Sequence, residues 1–337
     1  MPNCWPCPTT RGGIDESAKA PSPFIFPIRF ETTMNTNLVW CPYTGVEVDR
    51  ANCNAEHIIP LALGGSNGFT VPVDASVNAK VGSDIDAALS VKDFTTMFRR
   101  RLFDARGHSN KPPEVRVRAA TYGPDQRPAQ VTFGGPAGTT LWDAPERREL
   151  TEEELVGQNI ALKLTIQPYD RLRFMAKVAL SAGYRIYGDL FRDTANHADL
   201  RALMNAASLD EAKRALASTQ LRGCFEYMPV EQKDALDVQR DQLMCATIDG
   251  SVVAVIPTTG SLIFTAGILG QWVGTLNVPA TTDAYPNEGD HDLGHVVLLV
   301  DGHTEHISYR EFAKRVYAKV TGDQHDAGAR HANTNFE

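Results

Sequence analysis

The sequence predicts an α+β fold, and three observations carry that expectation. Between Leu38 and about Phe98 the chain reads as short strand, tight turn, short strand, glycine loop and then a helix starting near Asp74. In the middle, "DRLRFMAKVALSAGYRIYG" sets Leu172, Met175, Ala176, Ala179 and Leu180 at helical spacing, which predicts a buried helix. From Gln242 onward, "QLMCATIDGSVVAVIP", "SLIFTAGILGQWVGTLNV" and "GHVVLLVDGHTEHISY" read as antiparallel strands.

In chain order, residues 1–35 are rich in Pro, Thr and small polar residues and read as a poorly ordered arm, pinned in part by "FIFPIRF". Residues 36–98 form the first compact unit. Residues 99–337 make a larger α+β region with a sub-boundary near 220. Within it, "EVRVRAATY" and "AQVTF" alternate as strands do, between Pro and Gly turns. Thr151 with Glu154 three residues on is a helix cap. "HADLRALMNAASLDEAKRALAS" reads as two short helices, Asp301-Gly302 as a hairpin turn, and "REFAKRVYAKV" as a last helix before a frayed end. There is no internal repeat.

The 337 residues carry a formal charge of −8, which argues against indiscriminate coating of nucleic acid but leaves room for a local basic track. Such a track exists: between Lys92 and Arg148, 11 Lys/Arg face 6 Asp/Glu, a local net of +5. Six cysteines in a chain this long do not read as a secreted disulfide framework. The start lacks a basic region followed by an apolar run, and the most apolar stretch is broken by Pro257 and Gly260, so neither a signal peptide nor a membrane helix is expected. A reducing, cytoplasmic setting follows.

The chemistry concentrates in "CNAEHIIPLALGGSN", residues 53–67. Imidazole titrates near neutrality and suits the removal of a proton from water. The neighbouring carboxylate of Glu56 points the opposite way in an extended segment. Both can still serve one site if the acid binds a metal and the backbone turns sharply just after. Pro60 and Gly64-Gly65 supply that turn. Beyond the loop, Asp74 or Ser76 can cap a helix whose first turn carries Asn78, an oxygen donor for a hard cation. Asp86, two turns further along the same helical face, reads as structural.

"CPYTG", "AEHIIPLALGG" and "VNAKVGSDID", in that order, resemble the HNH endonuclease family, the ββα-metal fold. The resemblance covers Cys41 to Leu89. It implies an HNH domain over residues 36–98 and a metal-dependent endonuclease. Glu56 and Asn78 would hold one divalent ion, Mg²⁺ or Mn²⁺, and His57 would be the general base on water attacking a phosphodiester. The implied partner is nucleic acid, with double-stranded DNA favoured because most family members cut it, and the implied setting is phage defence or a mobile element. A homodimer is compatible, and no membrane partner is implied. Three departures from the family pattern stand out. The acid is Glu rather than Asp. The middle Asn position falls on Phe69, with Asn67 nearby as loop support. The paired Cys-x-x-Cys zinc knuckles are absent.

Lys80 and the run Arg99, Arg100, Arg101 are candidate phosphate contacts, against a solvated helix face as the plain reading. Cys4-x-x-Cys7 has the spacing of a zinc half-site that Cys41 and Cys53 could complete, against small buried thiols. His291, His295, His303 and His306 lie near one hairpin, but strand alternation is expected to scatter them. Two rival functions stay open: a non-catalytic nucleic-acid-binding module with the HNH fold, and a metal site at those histidines.

Overall fold

The structure, a computed structural model, describes residues 37–134, 138–163 and 167–322. The expected N-terminal arm, with Cys4 and Cys7, lies outside the described residues. Strands β1 (Leu38–Cys41) and β2 (Val46–Asp49) form a hairpin closed by Gly45 N–H donating to the Cys41 carbonyl at 2.8 Å. β3 (Cys53–His57) and β4 (Thr70–Asp74) pair antiparallel, with Glu56 opposite Val71 and His57 opposite Thr70. Helix α1 (Ala75–Val81) follows at once, because the Asp74 carboxylate accepts from the N–H groups of Ser76 and Val77. Wide π-type turns carry the chain to Lys92, and Asp93 caps α2 (Phe94–Leu102) in the same way through Thr96.

The loop between β3 and β4 explains its own composition. Ile58, Ile59 and Leu63 are fully buried, so the apolar segment is the loop's share of the core. Gly64 sits at φ +77°, and a Cβ on Gly65 would lie 1.8 Å from the Ile59 carbonyl oxygen, so only glycine lets the two backbones pass.

A second sheet has the order β8-β7-β6-β5-β9, built from β5 (Glu114–Tyr122), β6 (Arg127–Gly134), β7 (Thr140–Asp143), β8 (Arg148–Glu149) and β9 (Ile160–Leu162). The capping box of Thr151 and Glu154 starts the short helix α3 (Glu152–Leu155) beside it. Its own small core is Ala120, Tyr122, Ala129, Val131 and Leu141.

Helix α4 (Pro168–Tyr187) is the axis of the fold. Its residues Phe174 to Gly183 are buried on every face, as its packing on β4, β12 and β13 requires. Shorter helices follow: α5 (Asp189–Thr194), α6 (His197–Met204) and α7 (Leu209–Ser218). The six-stranded antiparallel sheet has the order β10-β13-β12-β11-β14-β15. Its strands are β10 (Arg222–Phe225), β11 (Ser251–Thr258), β12 (Ser261–Ile268), β13 (Gln271–Pro279), β14 (His295–Val300) and β15 (His303–Ser308), with α8 (Ala235–Ala246) and α9 (Tyr309–Thr321) beside them. Asp301 and Gly302 both take positive φ, at 50° and 76°, which is the two-residue hairpin expected there. One apolar cluster runs from Trp40 and Ile58 through α4 to Phe264 and Leu299, so β1–β4 share a core with the six-stranded sheet.

Polar groups fix α4 lengthwise. Arg171, 1% exposed, donates to Asp93 at 2.8 Å and Glu226 at 2.9 Å, and its guanidinium lies 4.5 Å from the Tyr227 ring centre. Removing it leaves two acids facing each other without a counter-charge. Arg171→Leu is therefore expected to cost about 3–5 kcal/mol, the usual consequence of breaking a buried pair from one side, read as a lower urea midpoint. A loss under about 1 kcal/mol would show that the pair is not structural.

Candidate functional site

The site residues come from β3, the loop after it and α1. Glu56 is buried and His57 half-buried, and as successive strand residues they leave opposite faces of β3. The His57 Nε2 lies 2.9 Å from Asn67 Oδ1. An amide oxygen can only accept, so Nε2 is the donor of this pair, and in the neutral ring that tautomer leaves the Nδ1 lone pair free. Asn67, out of register in sequence, reaches the ring because the glycine turn folds the loop back over the strand end. The His108 ring stands edge-on to His57 with centres 5.5 Å apart.

Glu56 turns inward. Its Oε1 meets the Lys177 ammonium at 2.6 Å and accepts from the Tyr43 hydroxyl at 3.4 Å, while its Oε2 makes no hydrogen bond among the described residues. Asp86 also reaches Lys177, at 3.2 Å. Burial pushes the Asp86 carboxyl up to about 6, with the ammonium opposing and Glu56 adding to the shift. Burial first, then the charges of Glu56 and Asp86, hold the Tyr43 hydroxyl well above its usual range.

Asn78 donates through Nδ2 to Asn54 Oδ1 at 2.8 Å. Asn54 and Glu56 are two apart on β3 and share a face, so Asn78 lies over the face that carries Glu56. The structure gives no hydrogen bond between Glu56 and Asn78. The Asn78 Oδ1 is buried and has no partner among the described residues. An orphaned amide oxygen and a carboxylate oxygen without a hydrogen bond are, by chemical type, hard donors of the kind a Mg²⁺ or Mn²⁺ ion takes.

The basic candidates separate. Lys80 is exposed on the last turn of α1, and Arg101 is exposed on α2. Arg99 donates to the Leu269 carbonyl at 2.9 Å and Arg100 to the Ser90 carbonyl at 2.6 Å, so each is tied to the protein backbone. Successive helix positions rotate by about 100°, so the three arginine side chains leave α2 in different directions.

The two cysteine candidates within the described residues both adjoin Asp74. The Cys41 thiol is buried and accepts from the Asp74 N–H at 3.4 Å, whereas Cys53 donates to the Asp49 carbonyl. Among the described residues no group of three His, Cys, Asp or Glu is placed to hold a metal ion.

Three of the four C-terminal histidines do gather, which corrects the expected scatter. His295 on β14 and His306 on β15 are diagonal neighbours on one face of the hairpin, since His306 lies opposite Val297. The His295 Nδ1 and His306 Nε2 are 2.6 Å apart, and the His291 ring centre is 4.3 Å from that of His295. His303 lies on the other face. Sequence reasoning missed Lys177, Tyr43 and His108 as neighbours of the site, while Asp86, read as structural, pairs with Lys177. The one available signal was a lysine inside the apolar run "RFMAKVALSAG".

No family model, curated protein or solved structure matches the chain.

His295 makes a pH prediction. Burial, then the neighbouring His306 and His291, lower its imidazole to about 4. The unfolded chain takes up that proton near pH 6.5, so this contribution to stability is complete above that pH and is lost as pH falls toward 4. The loss is at most about 1.4 kcal/mol per pH unit from this group. Urea midpoints at pH 7, 6 and 5 should fall, and His295→Phe should flatten the fall; an unchanged slope in the variant would assign it elsewhere.

Proposed function

We infer that the chain is a metal-dependent endonuclease of HNH type, acting on phosphodiester bonds in nucleic acid, DNA foremost, with β3, β4 and α1 as its ββα-metal unit. The observation that carries this reading is the His57–Asn67 bond, which leaves the Nδ1 lone pair of His57 as a proton acceptor. Added support comes from the strand–loop–strand–helix order and from the uncommitted oxygens of Glu56 and Asn78.

Glu56 and Asn78 would hold the divalent ion, whose Lewis acidity would ease the charge that builds on the phosphate. His57 Nδ1 would accept the proton of the attacking water, while Asn67 keeps the ring in one tautomer and one orientation. Lys80 and Arg101 would offer charge to flanking phosphates.

The ion pair of Glu56 with Lys177 favours a second reading, a nucleic-acid-binding module that keeps the fold without the chemistry. Plasmid cleavage with Mn²⁺ separates the two. His57→Ala should lower the rate by about 100- to 10,000-fold, the usual worth of a general base, with DNA binding kept. Equal cutting by wild type and variant would remove His57 from the mechanism; DNA binding without cutting by either would favour the module. Asn67→Ala should lower the rate by about tenfold, as loss of ring orientation does. Glu56→Gln and Asn78→Ala should raise the Mn²⁺ concentration needed for half-maximal cutting, and wild-type titration curves would dismiss them as ligands.

A further inference from the structure

Lys177 has no solvent exposure and sits in the middle of α4, among residues buried on all sides. Its ammonium is surrounded by oxygen. Glu56 Oε1 lies at 2.6 Å, the His57 carbonyl at 2.9 Å, the Ile58 carbonyl at 3.3 Å, and the two Asp86 oxygens at 3.2 and 3.3 Å. A charge this deep is costly, and apolar side chains in place of the whole Lys177, Glu56 and Asp86 cluster would fill the space without that cost. What the ammonium adds is direction. It draws one oxygen of Glu56 inward, where the Tyr43 hydroxyl also meets it, and so leaves the other oxygen turned away. It also accepts no alternative backbone path at the end of β3, because two successive carbonyls must point at it.

His57 is thereby held at two points: its ring by Asn67 and its carbonyl by Lys177. Arg171, the other fully buried cation of α4, is paired with Asp93 and Glu226, neither of which lies on β3. We propose that Lys177 is a positioning residue of the nuclease site, setting both the Glu56 carboxylate and the strand end that bears His57 from a helix outside the ββα unit. This rests on the nuclease reading above. Lys177 touches neither substrate nor ion. It acts through the residue that would hold the ion and the one that would take the proton of water.

The test uses the full chain, a DNA duplex and Mn²⁺, with Lys177→Met and Lys177→Arg compared with wild type and His57→Ala. Folding is followed by near-ultraviolet circular dichroism, and the His57 tautomer by ¹⁵N spectra of histidine-labelled protein. In Lys177→Met, kcat should fall by about 100-fold, the effect of a misplacement near 1 Å, while KM for DNA stays within about threefold. The His57 Nε2–H signal should give way to an average of both tautomers. Lys177→Arg keeps the charge but cannot reproduce all the contacts, so it should lose only about tenfold. Should the methionine variant not fold, the arginine variant decides. Wild-type kcat in either folded variant, with an unchanged His57 tautomer, would overturn the proposal. If His57→Ala is inactive in that same experiment, the nuclease reading survives and Lys177 alone is dismissed. If wild type and His57→Ala cut alike, the reading itself is lost.

Discussion

One buried ammonium ion ties the candidate site to the rest of the molecule. Lys177 has two carboxylates and two backbone carbonyls as neighbours, and all four belong to residues 56–86. Its own helix belongs to the shared core with the six-stranded sheet. Removing either side of such a contact leaves charge without a partner in a region that water does not reach, so each half of the fold constrains the other. The asymmetry matters because the ion pair does not have to be strongly stabilising to be strongly specifying. Its geometry excludes other ways of seating β3 on α4.

The loop between β3 and β4 is held from a second direction. The Ser251 hydroxyl donates to the Leu63 carbonyl at 2.6 Å and accepts from the Leu269 N–H at 2.9 Å, and the Ser66 hydroxyl donates to the Gly302 carbonyl at 2.7 Å. Polar groups inside the loop are thus satisfied by the C-terminal sheet, as buried groups must be. Residues 99–322 therefore act on the site at least as its scaffold: α4 holds the acid and the strand end, and the sheet holds the glycine turn. Catalytic arrangements need such support to stay within a fraction of an ångström of one geometry.

Much of this was legible in the sequence where local chemistry decides the outcome. Pro60 and the glycine pair marked the turn, Asp74 the start of α1, Thr151 with Glu154 the start of α3, and Asp301-Gly302 the last hairpin. Each works through its own backbone or neighbours three residues away. The site's inner half was not legible. Lys177 and the His57 carbonyl are separated by 120 positions, and no spacing rule links a lysine in an apolar helix to a distant acid. The backbone contacts of Arg99 and Arg100 were not legible, because their partners, the Leu269 and Ser90 carbonyls, carry no side-chain signature. The histidines looked scattered because alternation was applied to each strand alone, whereas the hairpin register makes His295 and His306 diagonal neighbours.

The bond from Ser66 to Gly302 spans 236 positions, and this has a bearing on how the chain is made. A ribosome releases the N-terminal end first, and emerging segments fold as far as their partners exist. The acid–histidine strand and its loop are made first, and their outer clamp follows more than two hundred residues later. Between those moments the loop has its glycines but not its anchors, and the geometry around His57 waits on strand β11 and the final hairpin. A half-made copy would carry Glu56 and His57 on their strand without the contacts that fix their geometry in the finished chain.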